Sequence, residues 1–295
     1  CRLTMDLGYS ITSFHPPHVE PRTAADRIYE RARVAADAGF DSVEVGDHHN
    51  VHGGGYLQNV PMAARLSATF DHVAGMFLLP LYHPVLLAEQ VATLDALVDR
   101  FDLWCGVGYG ADQFRAFDVP MAERASRFEE LLEVVRRLWT QNSVTHHGDH
   151  YSIDEVAVAP ADPRVCIGGT AEPAVRRAGR LGEAWVANAD VPIEAIRERI
   201  EWVDEAGGGE LIVRRDALVL EDDTEAKARA KALLADGYRG WPADSDWVLA
   251  GSPESVARPL AEFEAIGAES VVVRPMAAEH ATATLRGVAR ARELA

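Results

Sequence analysis

The amino-acid sequence predicts an α/β fold, a TIM (β/α)8 barrel with insertions. Short apolar segments that fit buried strands alternate with segments of helical periodicity, and there are eight of each. Eight right-handed βα units close most readily into a barrel, whereas a doubly wound open sheet usually needs five or six. Because no Pro/Ser-rich linker divides the 295 residues, we expect a single domain.

Each predicted element has its own signal in the sequence. Near-continuous apolar runs, typical of parallel strands buried on both faces, occur at Met5 to Ile11, Ser42 to Gly46, Val73 to Leu79, Leu103 to Val107, Val165 to Ile167, Ala184 to Ala187, Leu211 to Leu220 and Ser270 to Val273. Helical periodicity occurs at Ala24 to Ala38, Pro61 to Ala68, Val85 to Val98, Ala122 to Thr140, Glu172 to Leu181, Ile193 to Glu205, Glu225 to Asp236 and Glu254 to Ile266. Residues 141–163, with a hairpin pattern, and the irregular residues 238–252 are interpreted as insertions near the barrel mouth.

Composition narrows the class of protein. The net charge of -17, with only two lysines, argues against a nucleic-acid partner. No apolar run approaches the roughly 18 to 20 residues that cross a bilayer, so no membrane association is expected. The three cysteines, Cys1, Cys105 and Cys166, are not spaced as a pair of metal ligands would be. Two of them, Cys105 and Cys166, fall in predicted buried strands, where a reduced cysteine behaves as a small apolar residue. With no signal-peptide pattern at the start, we expect a cytoplasmic location.

The second predicted strand ends in titratable side chains. The segment from Ser42 reads S-V-E-V-G-D-H-H-N, so Asp47 and His48 follow the strand directly. Barrel active sites lie at the carboxyl ends of strands, and a neutral His48 could donate a proton there. His48 could instead only cap a helix or complete the barrel rim. A metal site with His52 is a weaker alternative, because the glycines at 53–55 deny these histidines one helix face.

Small residues and glycines occur at the third, fourth and fifth predicted strands. Ala74 and Gly75 would let a flat ring approach the backbone, or serve tight packing alone. Gly106 and Gly108 belong to a G-x-G-x-x-A pattern that imitates a dinucleotide fingerprint, but the required acid about 20 residues on would fall inside a helix. The stretch of Gly168, Gly169 and Thr170 enters a helix directly. Its amides could bind an anion such as phosphate, or Thr170 could simply be the N-cap.

Together these segments resemble a known enzyme family. The stretches G-D-H-H-N, L-L-P-L-Y-H-P-V-L-L-A-E-Q-V-A-T-L-D, G-V-G-Y-G-A-D-Q-F-R-A-F, R-F-E-E-L-L-E-V-V-R-R-L-W and C-I-G-G-T are similar, in order and spacing, to those of the bacterial luciferase-like flavin-dependent oxidoreductases. The resemblance runs from about Met5 to Ala189 and returns at A-G-S-P-E-S-V-A-R-P-L and G-A-E-S-V-V-V-R-P. It implies a TIM barrel that binds reduced FMN or the deazaflavin coenzyme F-420.

The resemblance also implies roles for individual residues. His48 matches the catalytic histidine and Asp47 its acidic neighbour. Cofactor contacts are implied for Ala74, Gly75, Gly106, Gly108, Gly168, Gly169 and Thr170. Because many relatives have a non-proline cis peptide at the bulge that supports the ring, one is hypothesised between Ala74 and Gly75. The glycines at 53–55 also predict a mobile loop after the histidines that could fold over a bound ligand. Residues expected on the substrate side, in this loop or near strand ends, are Tyr9, Tyr56, Gln58 and Leu79.

The implied function is that of a luciferase-like monooxygenase using reduced FMN and O2 on a small organic substrate, with a separate flavin reductase as partner. FMN monooxygenases of this kind often have E-H-H and a basic residue after the fourth strand, where this chain has Asp47 and Tyr109. Hydride transfer with F-420 is therefore an alternative. A non-catalytic flavin-binding protein and a metal-dependent hydrolase are alternatives of other classes. The resemblance further leads us to expect a homodimer.

Overall fold

Residues 5–295 are described by the structure, a computed structural model, so Cys1 lies outside the described part. The strands are β1 (Asp6–Ile11), β2 (Phe14–His15), β3 (Ser42–Val45), β4 (Gly55–Tyr56), β5 (His72–Leu78), β6 (Arg100–Gly106), β7 (Val144–His147), β8 (Ser152–Val156), β9 (Arg164–Gly168), β10 (Ala184–Ala187), β11 (Glu210–Val219), β12 (Leu249–Gly251) and β13 (Ala268–Pro275).

The α-helices are α1 (Pro21–Asp37), α2 (Asn59–Leu66), α3 (Pro84–Asp95), α4 (Ala111–Ala116), α5 (Arg124–Thr140), α6 (Glu172–Leu181), α7 (Ile193–Ala206), α8 (Asp223–Ala235), α9 (Pro253–Ala265) and α10 (Ala281–Leu294). Short 3-10 turns occupy Leu79–Leu81, Met121–Glu123, Tyr238–Gly240 and Ala278–His280. Over the described range, no helix is both long enough and apolar enough to cross a membrane.

Eight parallel strands form a closed ring in chain order. The order is β1, β3, β5, β6, β9, β10, β11 and β13, and β13 pairs back with β1. Each of the eight predicted strands corresponds to one member of this ring. The predicted TIM barrel is therefore confirmed. Enzymes with this fold have their active sites at the carboxyl-terminal ends of the strands.

The chain divides into two compact units. The first contains the described residues up to Ile11, Arg27–Val43 and Cys166–Ala295. Within it β1 and β13 pair from Asp6 with Ser270 to Tyr9 with Val273. Gly8 is required at this pairing, since a Cβ there would lie 2.8 Å from the Val272 side chain.

The second unit contains Thr12–Asp26 and Glu44–Val165. Its strands β5 and β6 pair without interruption from His72 with Arg100 to Leu78 with Gly106. Antiparallel β7 and β8 confirm the hairpin predicted within residues 141–163. The pair formed by β2 and β4 was not predicted, because each has only two residues.

Three further elements escaped the sequence analysis. Helix α4 is short, and β12, parallel to β11, lies in the segment expected to be irregular. Helix α10 is poor in large apolar residues because it packs closely on β11. The Thr284 hydroxyl accepts a hydrogen bond from the Val219 amide at 3.2 Å, and a Cβ at Gly287 would lie 2.6 Å from Val219.

Candidate active site at the carboxyl ends of the strands

Asp47 is a buried carboxylate held at the end of β3. Its Oδ2 accepts hydrogen bonds from the Leu78 amide at 2.8 Å and from the Tyr82 hydroxyl at 3.1 Å. Burial, and then the charge of Asp47, raise the pKa of Tyr82, so that this phenol remains a donor. Because buried charges need such donors, Asp47 is fixed in position by the last residue of β5 and by Tyr82, which follows the turn after β5.

The histidine paired with Asp47 is His49. Its Nε2 lies 3.1 Å from Oδ1 of Asp47, and its backbone amide donates to the Gln113 side chain at 2.9 Å. The ring packs edge-on against Phe117, with centroids 4.8 Å apart. His49 was not among the residues predicted for the site. Its position two residues after Asp47, on the same side of an extended chain, was the available signal.

His48 points to a different set of neighbours. Its ring meets Tyr56 edge-on at 5.1 Å, and its carbonyl oxygen accepts a hydrogen bond from Gln58 Nε2 at 3.3 Å. The His48 side chain is half-buried, whereas Asp47 is fully buried. The structure thus brings His48 together with two of the residues expected on the substrate side.

Part of the glycine loop after the histidines has regular structure. Gly55 and Tyr56 form β4 and pair with β2. The Tyr56 hydroxyl lies over Gly46, where an added Cβ would be only 2.6 Å away. The mobility expected of this loop stays a prediction.

His52, considered above as a metal ligand, is exposed and lies 3.2 Å from Asp112 through its Nε2. Residues 5–295 contain no group of three or more His, Cys, Asp or Glu side chains arranged to hold a metal ion. Cys105 and Cys166 are buried thiols.

Ala74 and Gly75 lie in the middle of β5. They pair in register with Asp102 and Leu103, and the described residues contain no cis peptide bond. The hypothesised cis peptide and bulge at this position are therefore wrong. Both residues belong to an uninterrupted ladder, and Gly75 is small because a Cβ would lie 3.1 Å from Phe101. The strand ends three residues later, and Leu79, also expected near the substrate, is buried in the following turn.

Gly106 and Gly108 do stand at a strand end. Gly106 is the last residue of β6, and a Cβ there would lie 3.3 Å from Leu78. Gly108 has a φ of 74°, which favours glycine, and it packs against Phe114. Between these glycines and α4, the Tyr109 side chain is exposed.

The other glycine turn, in the first unit, joins β9 to α6. Gly168 ends β9, and the Gly169 carbonyl accepts a hydrogen bond from Trp185 Nε1 at 2.9 Å. The N-cap of α6 is Ala171, so Thr170 is not the cap that the sequence allowed as an alternative. Instead, Asn188 Nδ2 donates to the Thr170 hydroxyl oxygen at 3.0 Å.

Asn188 is a residue that the sequence analysis missed. It directly follows the fully buried β10, and a polar residue at that place was the signal available. Because Asn188 donates to Thr170, the hydroxyl hydrogen of Thr170 is left to donate elsewhere. This arrangement fits an anion at the turn.

Tyr9, expected on the substrate side, is buried within β1. Burial raises the pKa of Tyr9 to about 12, against an opposing effect of Arg31 on α1. Its contact with a substrate stays a prediction.

The chain is similar to enzymes of one family. The model of the luciferase-like monooxygenase family matches residues 5–270. An FMNH(2)-dependent dimethylsulfone monooxygenase from Pseudomonas putida is 27% identical over 230 residues, 72% of this chain and 63% of that protein. An F420-dependent glucose-6-phosphate dehydrogenase from Microbacterium testaceum is 29% identical over 180 residues, 57% of this chain and 54% of that protein.

Among solved structures, the monooxygenase RslO1 from Streptomyces bottropensis matches with a TM-score of 0.81 at 22% identity, covering 97% of this chain and 98% of that one. At this identity the match shows the fold alone. The chain spans between about half and two thirds of the length of the two curated relatives described above.

Proposed function

Because this chain belongs to the luciferase-like monooxygenase family, we propose that it is a flavin-dependent oxidoreductase that uses reduced FMN and O2 to oxygenate a small organic substrate. The observation that carries the proposal is the end of β3. There a buried, doubly hydrogen-bonded Asp47 anchors a segment with two histidines, one paired with it and one half-buried beside Tyr56. Such a group can hold and move a proton.

Two residues of this segment have separate roles. His48 is the proposed catalytic acid or base, because it is accessible and its backbone is held by Gln58. Asp47 is a positioning residue, since its carboxylate is buried and already accepts from Leu78 and Tyr82. Tyr56 and Gln58 are proposed to contact the substrate next to His48.

The turn between β9 and α6 fits the phosphate of a flavin or deazaflavin. Thr170 is not used as a helix cap, Asn188 leaves its hydroxyl hydrogen available, and Gly168 and Gly169 lie just before the start of α6, whose positive end favours an anion. We propose that these residues hold the phosphate, with Gly106 and Gly108 as further cofactor contacts. Ala74 and Gly75 remain proposed contacts only through their backbone. When bound, reduced FMN would supply the electrons for oxygenation.

A second candidate is hydride transfer with F-420. The acid directly before His48 favours it, as does the similarity to an F420-dependent dehydrogenase. The same residues serve this chemistry, with His48 exchanging a proton with the substrate while O2 takes no part. The acid before His48 does not by itself choose between the two.

Equilibrium binding of FMN and F-420, each oxidised and reduced, tests the function. We expect reduced FMN to bind more tightly than either form of F-420, and replacement of His48 by Ala to abolish turnover while leaving FMN binding nearly unchanged. Tighter binding of F-420 would establish the second candidate. If neither cofactor binds, both candidates are contradicted.

We also propose a separate flavin reductase as partner, a cytoplasmic location and a homodimer. The reductase follows from the need for FMN to arrive already reduced. The dimer follows from the family resemblance, which places the contact on helices beside the second and third strands of the barrel; Leu86 is exposed on one of them, α3.

A further inference from the structure

Tyr82 joins the end of β3 to a second group of side chains in the second unit. Its hydroxyl donates to Asp47 Oδ2 at 3.1 Å and accepts a long hydrogen bond from Asn59 Nδ2 at 3.4 Å. The Tyr82 ring meets Phe77 edge-on, with centroids 5.3 Å apart. Burial and the charge of Asp47 raise the pKa of Tyr82, so at neutral pH the hydroxyl keeps the proton that it donates to Asp47.

Asn59, the first residue of α2, is buried and uses both ends of its amide. Its Nδ2 also donates to the Met76 carbonyl of β5 at 2.7 Å, and its Oδ1 accepts from the Val60 amide at 2.8 Å. A carboxamide nitrogen carries two hydrogens, so it can serve Met76 and Tyr82 together. Asn59 therefore fastens the start of α2 to β5 and orients the Tyr82 hydroxyl.

The residue before Asn59 reaches back to His48. Gln58 is the N-cap residue of α2, and its Nε2 donates to the His48 carbonyl at 3.3 Å. His48 follows Asp47 in the chain, and Gln58 precedes Asn59. Together with the two hydrogen bonds of the Tyr82 hydroxyl, these links close a circuit that begins and ends at His48. The backbone of His48 is thus held on both sides.

The other contacts of Asp47 do not replace this link. The Leu78 amide donates to the same oxygen at 2.8 Å, and His49 lies beside the other oxygen. The Leu78 amide keeps the carboxylate at the end of β5 but leaves it able to turn about that one hydrogen bond. The Tyr82 hydroxyl supplies a second donor from another element, which fixes the direction of the Asp47 side chain.

We propose that Tyr82 and Asn59 are positioning residues, which hold the imidazole of His48 in place through Asp47 and Gln58. This inference rests on the proposed function for the catalytic role of His48. Placement matters because a group that transfers a proton must lie within hydrogen-bond reach of the atom that it serves. Loss of either link should release the His48 ring, which is half-buried and edge-on to Tyr56.

Modification of the full chain by diethyl pyrocarbonate, followed by peptide mass spectrometry, measures the reactivity of His48 without cofactor or substrate. Tyr82→Phe removes the hydroxyl and keeps the ring. It should raise the modification rate of His48 about threefold or more, and Asn59→Ala should do the same, because a hydrogen bond that restrains the segment is lost. His147, exposed on the β7–β8 hairpin, is the reference in each protein and should react at one rate throughout.

Tyr151→Phe is the matched control, because Tyr151 is a buried tyrosine of the same unit and lies outside the circuit. It should leave the His48 rate unchanged. Urea titrations of every variant separate a local change in rate from a general loss of stability. If Asn59→Ala does not fold, Tyr82→Phe decides. An unchanged His48 rate in folded Tyr82→Phe, or an equal rise in Tyr151→Phe, would overturn the inference.

The closed circuit predicts how two changes combine. Gln58→Ala removes the donor to the His48 carbonyl, and it should by itself raise the His48 rate. Tyr82→Phe combined with Gln58→Ala should react about as fast as the faster single variant, since either change opens the same circuit. Rates that multiply would mean that the two contacts act independently, which contradicts the circuit.

Binding of FMN and F-420 is measured on the same preparations. Tyr82→Phe should lower turnover about tenfold while the affinity for reduced FMN stays nearly unchanged. A chain that binds a cofactor but whose His48 rate does not respond to Tyr82→Phe contradicts this inference and leaves the proposed function standing. A chain with the expected His48 rates that binds neither cofactor contradicts only the proposed function.

Discussion

Thr170 shows how one neighbour decides what a hydroxyl can do. Since Asn188 donates to its oxygen and Ala171 is the helix N-cap, the Thr170 hydroxyl hydrogen is available to a phosphate. Replacing Thr170 with Val, which has nearly the same shape, should weaken cofactor binding by roughly 10- to 100-fold. Fluorescence titration with the cofactor measures this change.

The control for this prediction is Thr93→Val. The exposed Thr93 hydroxyl donates to the Glu89 carbonyl within α3, so this variant should bind the cofactor as the unchanged chain does. Equal affinities for all three proteins would remove Thr170 from the phosphate site.

Asp102 is a buried acid with a structural role. It lies 3.1 Å from His72, 3.1 Å from Arg100 and 3.5 Å from Arg164. Burial alone would raise the pKa of Asp102, but the hydrogen bond from His72 and these charges together lower it below the usual 3.8. The charged form therefore stabilises the fold. Asp102→Asn should lower the free energy of unfolding at pH 7 by about 3 kcal/mol in urea titrations.

The sign of the pH dependence follows from the lowered pKa. The contribution of Asp102 is fully present above pH 3.8 and is lost as the pH falls through the lower folded-state value. The stability difference between the chain and Asp102→Asn should shrink on acidification. Asp112→Asn, at an exposed acid with its own arginine and histidine partners, should leave stability unchanged. A difference that grows in acid would contradict this account.

At the scale of elements, a single glutamate fastens the β7–β8 hairpin to α5. Glu130 accepts hydrogen bonds from the backbone amides of His150 and Tyr151 at 3.0 and 2.9 Å, and its Oε1 lies 3.0 Å from His146 Nε2. Glu130→Ala should leave two partly buried backbone donors without these partners. We expect amide hydrogen exchange within residues 144–156 to accelerate by roughly tenfold or more.

Glu133→Ala is the matched control on the same helix, because Glu133 is exposed and lies 3.9 Å from Arg137 of its own helix. In this variant, amide hydrogens of the β7–β8 hairpin should exchange at the same rate as in the unchanged chain. Identical acceleration in both variants would mean that the helix, and not the Glu130 contact, had been disturbed.

At the scale of the whole molecule, the proposed homodimer predicts a mass. Light scattering should give twice 32.1 kDa. Leu86→Arg places a charge on a half-exposed apolar position of α3 and should give a monomer. Leu294→Arg alters an equally exposed leucine on α10 and should remain dimeric. A monomeric unchanged chain would contradict the dimer.

Much of the barrel could be predicted because parallel strands buried on both faces have near-continuous apolar sequences. The predicted Ser42 to Gly46 and Ala184 to Ala187 fall on β3 and β10 almost residue for residue. Helix α10 was missed because close approach to Val219 selects small residues, which weakens its periodicity. The cis peptide after Ala74 was predicted from the family resemblance alone. It is absent because Ala74 and Gly75 lie inside the regular ladder between β5 and β6, which continues to Leu78.

The sequence by itself determined the ring of eight strands, the family and the places where polar residues follow strands, since these depend on local order and periodicity. Only the tertiary structure decided that Asp47 pairs with His49, that Asn188 supports Thr170 and that Tyr82 joins Asp47 to Asn59. Each of these contacts depends on where a side chain points, and the folded backbone sets that orientation. The order of residues along the chain does not specify it.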